Sequence, residues 1–325
     1  MKKSILLLLI CTLGIVLGAC GNTNEEEKKD VSTKNKLKIS TTAFAFQSFT
    51  EQIGGKYVDV HSIYPPGADI HSFEPTQKDM IDIAKDDLFI YSNNEMDPVA
   101  KKIAKSIKND DLKLPLAQNL SSHDLVANDE HEHEHEHEHE DEHEHEAHEE
   151  GSEDPHVWLD PVLDKKFAKE IKNNLVKKDP EHKSYYEANY KKVAKDINAI
   201  DKKLKVITKQ PKRDTVIISH DSIGYLAKRY GFKQEGVSGM NNEEPSQKAL
   251  MGIVEDIEKS QQPYVLYEQN ISSKVTDVIK KESNTTPVSF HNMATLSKDE
   301  EKERNISYQS LMKRNIKSLD KALNH

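Results

Sequence analysis

Seven apolar residues, Tyr186, Tyr190, Val193, Ile197, Ile200, Leu204 and Ile207, step by four and three alternately between Pro180 and Pro211. That spacing draws a narrow apolar stripe down one face of a long helix, with lysines filling the other. The stripe is too short and too isolated for a coiled-coil seam. It predicts one helix over 184–210 lying across whatever folds on either side. Both sides carry the same rhythm. Before it, "KLKIS" and "VDVHSIYP" read as strands, "QKDMIDIAKDD" as helix, "LFIYSN" as strand and "PVAKKIAKSI" as helix. After Arg213 come "TVIIS", "IGYLAKRYG", a Gly-rich turn, "QKALMGIVEDIEKS", "PYVLYEQN", "SSKVTDVIKKE", "PVSF" and a terminal helix. Alternating strands and helices pack as a parallel sheet covered by helices on its faces. The expected fold is α/β: two Rossmann-like lobes of mainly parallel sheet, 36–183 and 211–325, joined by one long rigid helix.

The N-terminus reads differently. Lys2 and Lys3 precede the apolar run "ILLLLICTLGIVLG", which is short for a membrane span and ends at "LGAC". Residues 1–19 are read as a signal peptide, and Leu17-Gly18-Ala19-Cys20 resembles the bacterial lipoprotein box, in which the cysteine is lipidated. Residues 20–35 are polar without apolar period and read as a flexible tether. The only two cysteines are Cys11 and Cys20. A mature chain starting at Cys20 has no disulfide, and any metal must be held by histidines and carboxylates rather than thiolates. The net charge of −10, which becomes −12 when Lys2 and Lys3 leave, argues against nucleic acid as a partner.

Sixteen histidines point to metal. Nine of them, His123, His131, His133, His135, His137, His139, His143, His145 and His148, fall in a His/Glu-rich insert over 123–150. The stretch His131–His135 formally matches H-E-x-x-H, and a secreted metallohydrolase would use Glu132 as its base. That motif needs a helix packed on a core, and alternating His and Glu offer no apolar face. The insert is read as disordered, and as a low-affinity metal collector rather than a passive loop. Of the body histidines, His61 and His182 read as structural, and His291 as ambiguous. His71, in "PPGADIHSFEPT", His156, in "EDPHVWLDP", and His220, closing "TVIIS", sit at the edges of elements. Loops at the carboxyl ends of parallel strands face the binding crevice. Three imidazoles with one more donor suit tetrahedral zinc.

"GADIHSFEPT", "NEEPSQK", "DPHVWLDP" and "SHDSIGYLAKRYG" together resemble the zinc/manganese solute-binding lipoproteins of bacterial ABC importers, whose zinc members are called ZnuA or AdcA. The resemblance runs from about Lys36 to His325 and includes the His-rich insert. It implies two α/β lobes joined by a long helix, metal in the interlobe cleft, and His71, His156 and His220 as ligands. It also implies a monomer held by a lipid on the outer face of the cytoplasmic membrane, delivering Zn2+ to an ABC permease without bond-making chemistry. Histidine at the third position favours zinc over manganese, because imidazole suits zinc and hard oxygen donors suit manganese. A manganese carrier and a surface adhesin are the rival readings. Many relatives place a fourth carboxylate after the last strand, where this chain has Ala294. Glu268 or a water is then the fourth donor, with His291 a weaker candidate, and Asp154, Asp160 or Asp221 orient the rings.

Overall fold

The computed structural model describes residues 29–126, 153–243, 245–269 and 274–325. The expected signal peptide, Cys20 and the histidines of the insert beyond His123 lie outside the described residues. His123 is exposed in a turn.

The first half opens with β1 (Leu37–Thr41), α1 (Phe44–Gly54) and β2 (Val58–Ser62). It continues with α2 (Gln77–Ile83), β3 (Leu88–Tyr91), α3 (Pro98–Ser106) and β4 (Lys113–Pro115). These strands form a parallel sheet in the order β2-β1-β3-β4. Two helices follow, α4 (Pro161–Lys178) and α5 (Lys183–Ile207). The second half runs β5 (Thr215–His220), α6 (Gly224–Tyr230), β6 (Lys233–Ser238) and α7 (Gln247–Ser260). It ends with β7 (Tyr264–Glu268), α8 (Lys274–Glu282), β8 (Thr286–Phe290) and α9 (Tyr308–Asn324). Its sheet is also parallel, in the order β6-β5-β7-β8, so the two halves share one topology. In each sheet the strand order reverses beside the first strand, and the crevice at that switch point is where α/β sheets bind ligands.

The apolar stripe forms α5 as expected. Tyr186, Val193, Ile197, Ile200 and Leu204 are buried, and Tyr190 and Ile207 pack partly buried against the same core. The helix lies on α1, α4 and α9, so it touches elements of both halves. Two elements depart from the sequence reading. The supposed Gly-rich turn after "YGF" contains strand β6, whose register pairs Ile218 with Gly236 and His220 with Ser238. As an edge strand bonded on one side only, "KQEGVS" keeps polar residues half in solvent and shows no apolar run. Helix α1 was not anticipated: eight of its eleven residues, Phe46 and Phe49 included, are buried, so no polar face marks it as amphipathic.

One continuous core joins the two sheets, and Val31–His325 forms a single unit. At its centre the Phe46 ring stands edge-on to Trp158 at 6.0 Å and to Phe167 at 5.8 Å. Replacing Phe46 by Ala is expected to cost about 3–5 kcal/mol, read as a lower urea midpoint with an unchanged slope.

Five hydrogen bonds stitch segment 292–296 of the second half to the first half. Phe44 N donates to Ala294 O at 2.8 Å, Ala45 N to Met293 O at 3.2 Å and Gly67 N to Leu296 O at 2.8 Å. Trp158 Nε1 donates to Asn292 O at 2.8 Å and Thr295 Oγ1 to Ala68 O at 3.0 Å. Met293 adopts φ 61°, a left-handed conformation uncommon for a side chain, inside this seam. A second tie between the halves joins α6 to the loop before α4. Arg229 Nε donates to Asp160 Oδ2 at 2.8 Å, and Tyr225 OH donates to Asp154 O at 3.0 Å. Gly224 permits the close approach: a Cβ there would sit 2.7 Å from Asp154 Oδ2.

Candidate metal centre

His71, His156 and His220 come from three separate stretches of chain and converge in the crevice between the halves. The fold delivers each differently. His220 is the last residue of β5 and is fully buried. His156 follows Pro155 in the loop that enters α4, and it too is buried. His71 lies in the loop between β2 and α2 and is half-buried, with its backbone N–H donating to Asp69 Oδ1 at 3.0 Å. The ring centroids are 4.9 Å (His156–His220), 5.3 Å (His71–His220) and 5.5 Å (His71–His156) apart. One donor atom from each lies within 4.8 Å of the others, and among the described residues no other group of three ligand-type residues does so. Tetrahedral zinc with bonds of ~2.0–2.1 Å needs its donors roughly 3.4 Å apart, within reach of small ring rotations.

Carboxylates behind the rings fix which nitrogen faces inward. Asp154 Oδ1 accepts from the backbone N–H of His156 at 2.9 Å and from its Nδ1 at 2.8 Å. Glu268 Oε2 accepts from His220 Nδ1 at 2.8 Å, and its other oxygen accepts from Ser222 Oγ. A ring that donates from Nδ1 to a carboxylate presents the Nε2 lone pair to a metal and is more basic there. Glu268 therefore stands behind His220 and outside the three-imidazole group, a placement different from the fourth-ligand position expected from sequence. His220 Nε2 also meets Met240 O at 2.8 Å, so a metal taking that nitrogen must displace a proton and release the carbonyl.

The electrostatics suit a cation. Burial, and then the repulsion of the His156 and His220 rings, push His71 down to about 3, with Asp69 and Glu243 offsetting only part of it. Burial and His220 likewise push His156 down to about 3. Burial alone would lower His220 as well, but the adjacent Glu268 carboxylate, with the Met240 carbonyl and Asp221, outweighs it and raises the ring to about 9. Burial raises the Asp154 carboxyl to about 7. At neutral pH, then, two imidazoles offer free lone pairs and the third holds one exchangeable proton.

Beside His71 and His156 lies a cavity of about 10 Å³, lined in part by Asp69, Asn292, Ala294 and Thr295. That is room for about one water molecule. The other sequence candidates lie elsewhere. His291 is buried and structural, accepting from Met293 N at 2.9 Å on Nδ1 and facing Glu300 at 3.4 Å. His61 bonds Ser40 Oγ at 2.9 Å, and His182 bonds Asp179 at 2.7 Å and stacks on Tyr57. Of the groups expected to orient rings, Asp154 does so directly. Asp160 instead caps α4 at Val162 N and pairs with Arg229. The Met240 carbonyl carries no sequence signal, since any residue supplies one.

A family model matches residues 39–322: ZnuA, the periplasmic component A of a zinc-uptake complex. The chain belongs to the ZnuA family. It is 34% identical over 323 residues to the high-affinity zinc uptake system protein ZnuA of Bacillus subtilis, covering 99% of this chain and 98% of that one. It is 30% identical over 327 residues to the zinc-binding lipoprotein AdcA of Streptococcus pneumoniae, covering 98% of this chain but 60% of that longer one. Among solved structures, the metal-dependent lipoprotein YcdH of Bacillus subtilis matches with a TM-score of 0.70 and 30% identity, over 89% of this chain and 99% of that one. The two parallel sheets of the ZnuA-family chain have this same two-lobed α/β architecture.

Proposed function

We propose that this chain captures zinc outside the cytoplasm and hands it to an ABC permease, with His71, His156 and His220 as its ligands. The observation that carries the reading is the convergence of three imidazoles from both halves, two of them tied at Nδ1 to buried carboxylates. A nitrogen-only donor set favours zinc over manganese. A water in the cavity beside Ala294 completes the tetrahedron, and Glu268 positions His220 rather than ligating. Zinc is the cargo, and the protein is a transport component rather than an enzyme.

Release proceeds through the His71 loop. Opening the lobes would break all five bonds of the 292–296 seam, at about 1 kcal/mol each, and expose the shared aromatic core. Moving the loop that carries His71 spares three of those bonds and breaks the hydrogen bonds of Gly67, Ala68 and Asp69, the exposed Lys102–Glu74 pair and the packing of Ile70 and Phe73. The lipid anchor at Cys20 keeps a monomeric chain at the outer face of the membrane, and the His/Glu insert collects zinc loosely near the cleft.

Radioactive zinc uptake in cells lacking the chromosomal copy tests this reading. The chain should restore uptake at limiting zinc, and a variant with His71, His156 and His220 all changed to Ala should not. Equal restoration by both would overturn the proposal.

A further inference from the structure

The loop between β2 and α2 carries His71, and an aromatic pair pins its two ends together. Tyr64, two residues past β2, meets Phe73, two residues past His71, edge to face with ring centroids 5.1 Å apart. Tyr64 is buried, at 5% exposure, and its hydroxyl faces Asp97 Oδ1 at 3.5 Å. Asp97 in turn accepts from Ala100 N at 2.7 Å and starts α3, so the Tyr64 ring is moored to the body of the first half. Phe73 packs, partly buried, against the same apolar cluster, which includes Ile83, Val99 and Ile103. Residues 65–72 thus form a short loop whose ends meet, held closed by its own side chains in the manner of an Ω-loop.

The ties of this loop fall on either side of His71. On one side they are polar: Gly67 N donates to Leu296 O at 2.8 Å, and Asp69 Oδ2 accepts from Asn242 Nδ2 at 3.4 Å. On the other side stands Phe73. Polar bonds can be handed to water as a loop moves, whereas nothing replaces an edge-to-face contact once the rings part. A cavity of about 430 Å³ adjoins the root of the loop, bounded by Tyr64 and Pro66 from the first half and by Thr295 and Leu296 from the second. Once Phe73 leaves Tyr64, the loop has space there to turn while the lobes stay closed.

Resting on the proposed function, we infer that Tyr64 and Phe73 are positioning residues: their ring pair is the clasp that holds His71 on the zinc and sets how fast the ion leaves. Neither side chain is a ligand. Zinc departs when His71 swings away with its loop, and that swing parts the two rings. The clasp stabilises the gripping position of the loop without altering the imidazoles themselves, so its signature lies in the release rate.

The test uses the full chain with Tyr64→Leu, Phe73→Leu, the two combined, Tyr64→Phe, and a control, Tyr91→Leu, whose ring stacks on Phe89 in the same cluster. Zinc-loaded protein is mixed with excess chelator by stopped flow, and melting temperature is measured on each variant. Tyr64→Leu and Phe73→Leu should each speed release about tenfold. The double variant should release zinc no faster than either alone, because the two substitutions remove one shared contact. Tyr64→Phe keeps the ring on Phe73 and should stay within about threefold of the unsubstituted chain. Tyr91→Leu should lower the melting temperature and leave release unchanged. Unchanged release in both single variants, a roughly hundredfold gain in the double, or an equal gain in Tyr91→Leu would overturn the clasp while leaving zinc capture intact. Absence of tight zinc binding by the unsubstituted chain would overturn the proposed site and this inference with it.

Discussion

Zinc affinity is expected to fall about 100-fold or more when His156 is replaced by Ala. A four-ligand zinc site is worth about 10–16 kcal/mol, so one ligand accounts for roughly 3 kcal/mol even after a water takes its place. The site gives His156 no substitute. It is buried, its Nδ1 is committed to Asp154, and its neighbours are two other imidazoles rather than spare carboxylates. His220→Ala should lose as much, because its Glu268 partner would be left as a buried carboxylate with only Ser222 beside it. His71→Ala should lose somewhat less, since its half-buried loop can admit water. Competition against a chelator of known affinity checks all three, with melting temperature showing that the fold survives. Unchanged affinity in two of them would remove the site from this crevice.

Glu268→Leu is expected to weaken zinc binding by about 10–100-fold, the range for a group that orients a metal-bound histidine. Its pH dependence distinguishes that role from direct ligation. Glu268 raises His220 to about 9. Between pH 7 and 9 zinc must displace that proton, so affinity should rise about tenfold per pH unit and level off above 9. About one proton from His220, and part of a second from Asp154, which burial holds at about 7, should be released per zinc at pH 7, seen as a buffer-dependent heat in calorimetry. His71 and His156, held at about 3, contribute no slope in this range. Without the carboxylate, burial and the neighbouring rings bring His220 down, and the slope should flatten. Glu268→Gln, which keeps an oxygen acceptor for Nδ1–H, should recover much of the affinity with the flat profile. A steep slope persisting in Glu268→Leu would contradict the positioning role.

Much of the fold could be read before any coordinates because the periodicity was strong where it mattered. The α5 stripe from Tyr186 to Ile207 has one buried face and one of lysines, so its helical period survives in the sequence. Helix α1 could not be read that way, because burial on most sides leaves "FAFQSFTEQIG" with no polar face to alternate against. Strand β6 was hidden by the opposite cause, half-exposed polar residues on a sheet edge. The meeting of His71, His156 and His220 was legible as a candidate site because each stands at the edge of an element, where loops of an α/β fold line the binding crevice. The division of labour around them was not. Asp154 lies two residues from His156 and its partnership follows locally, whereas Glu268 reaches His220 across 48 residues through the pairing of β5 with β7. The interlobe seam is made largely by backbone carbonyls of Asn292, Met293, Ala294 and Leu296, which every residue possesses and no sequence pattern announces.

The His/Glu insert proclaims metal far more loudly than the crevice does, yet the tight site is assigned to the crevice. The measurement that decides between them is a zinc titration, with manganese as competitor, on the chain lacking residues 123–150. One tight zinc equivalent should remain, at an affinity close to that of the full chain and undisturbed by manganese at comparable concentration. Disappearance of that equivalent with the insert would place the principal site in the tract and contradict the account.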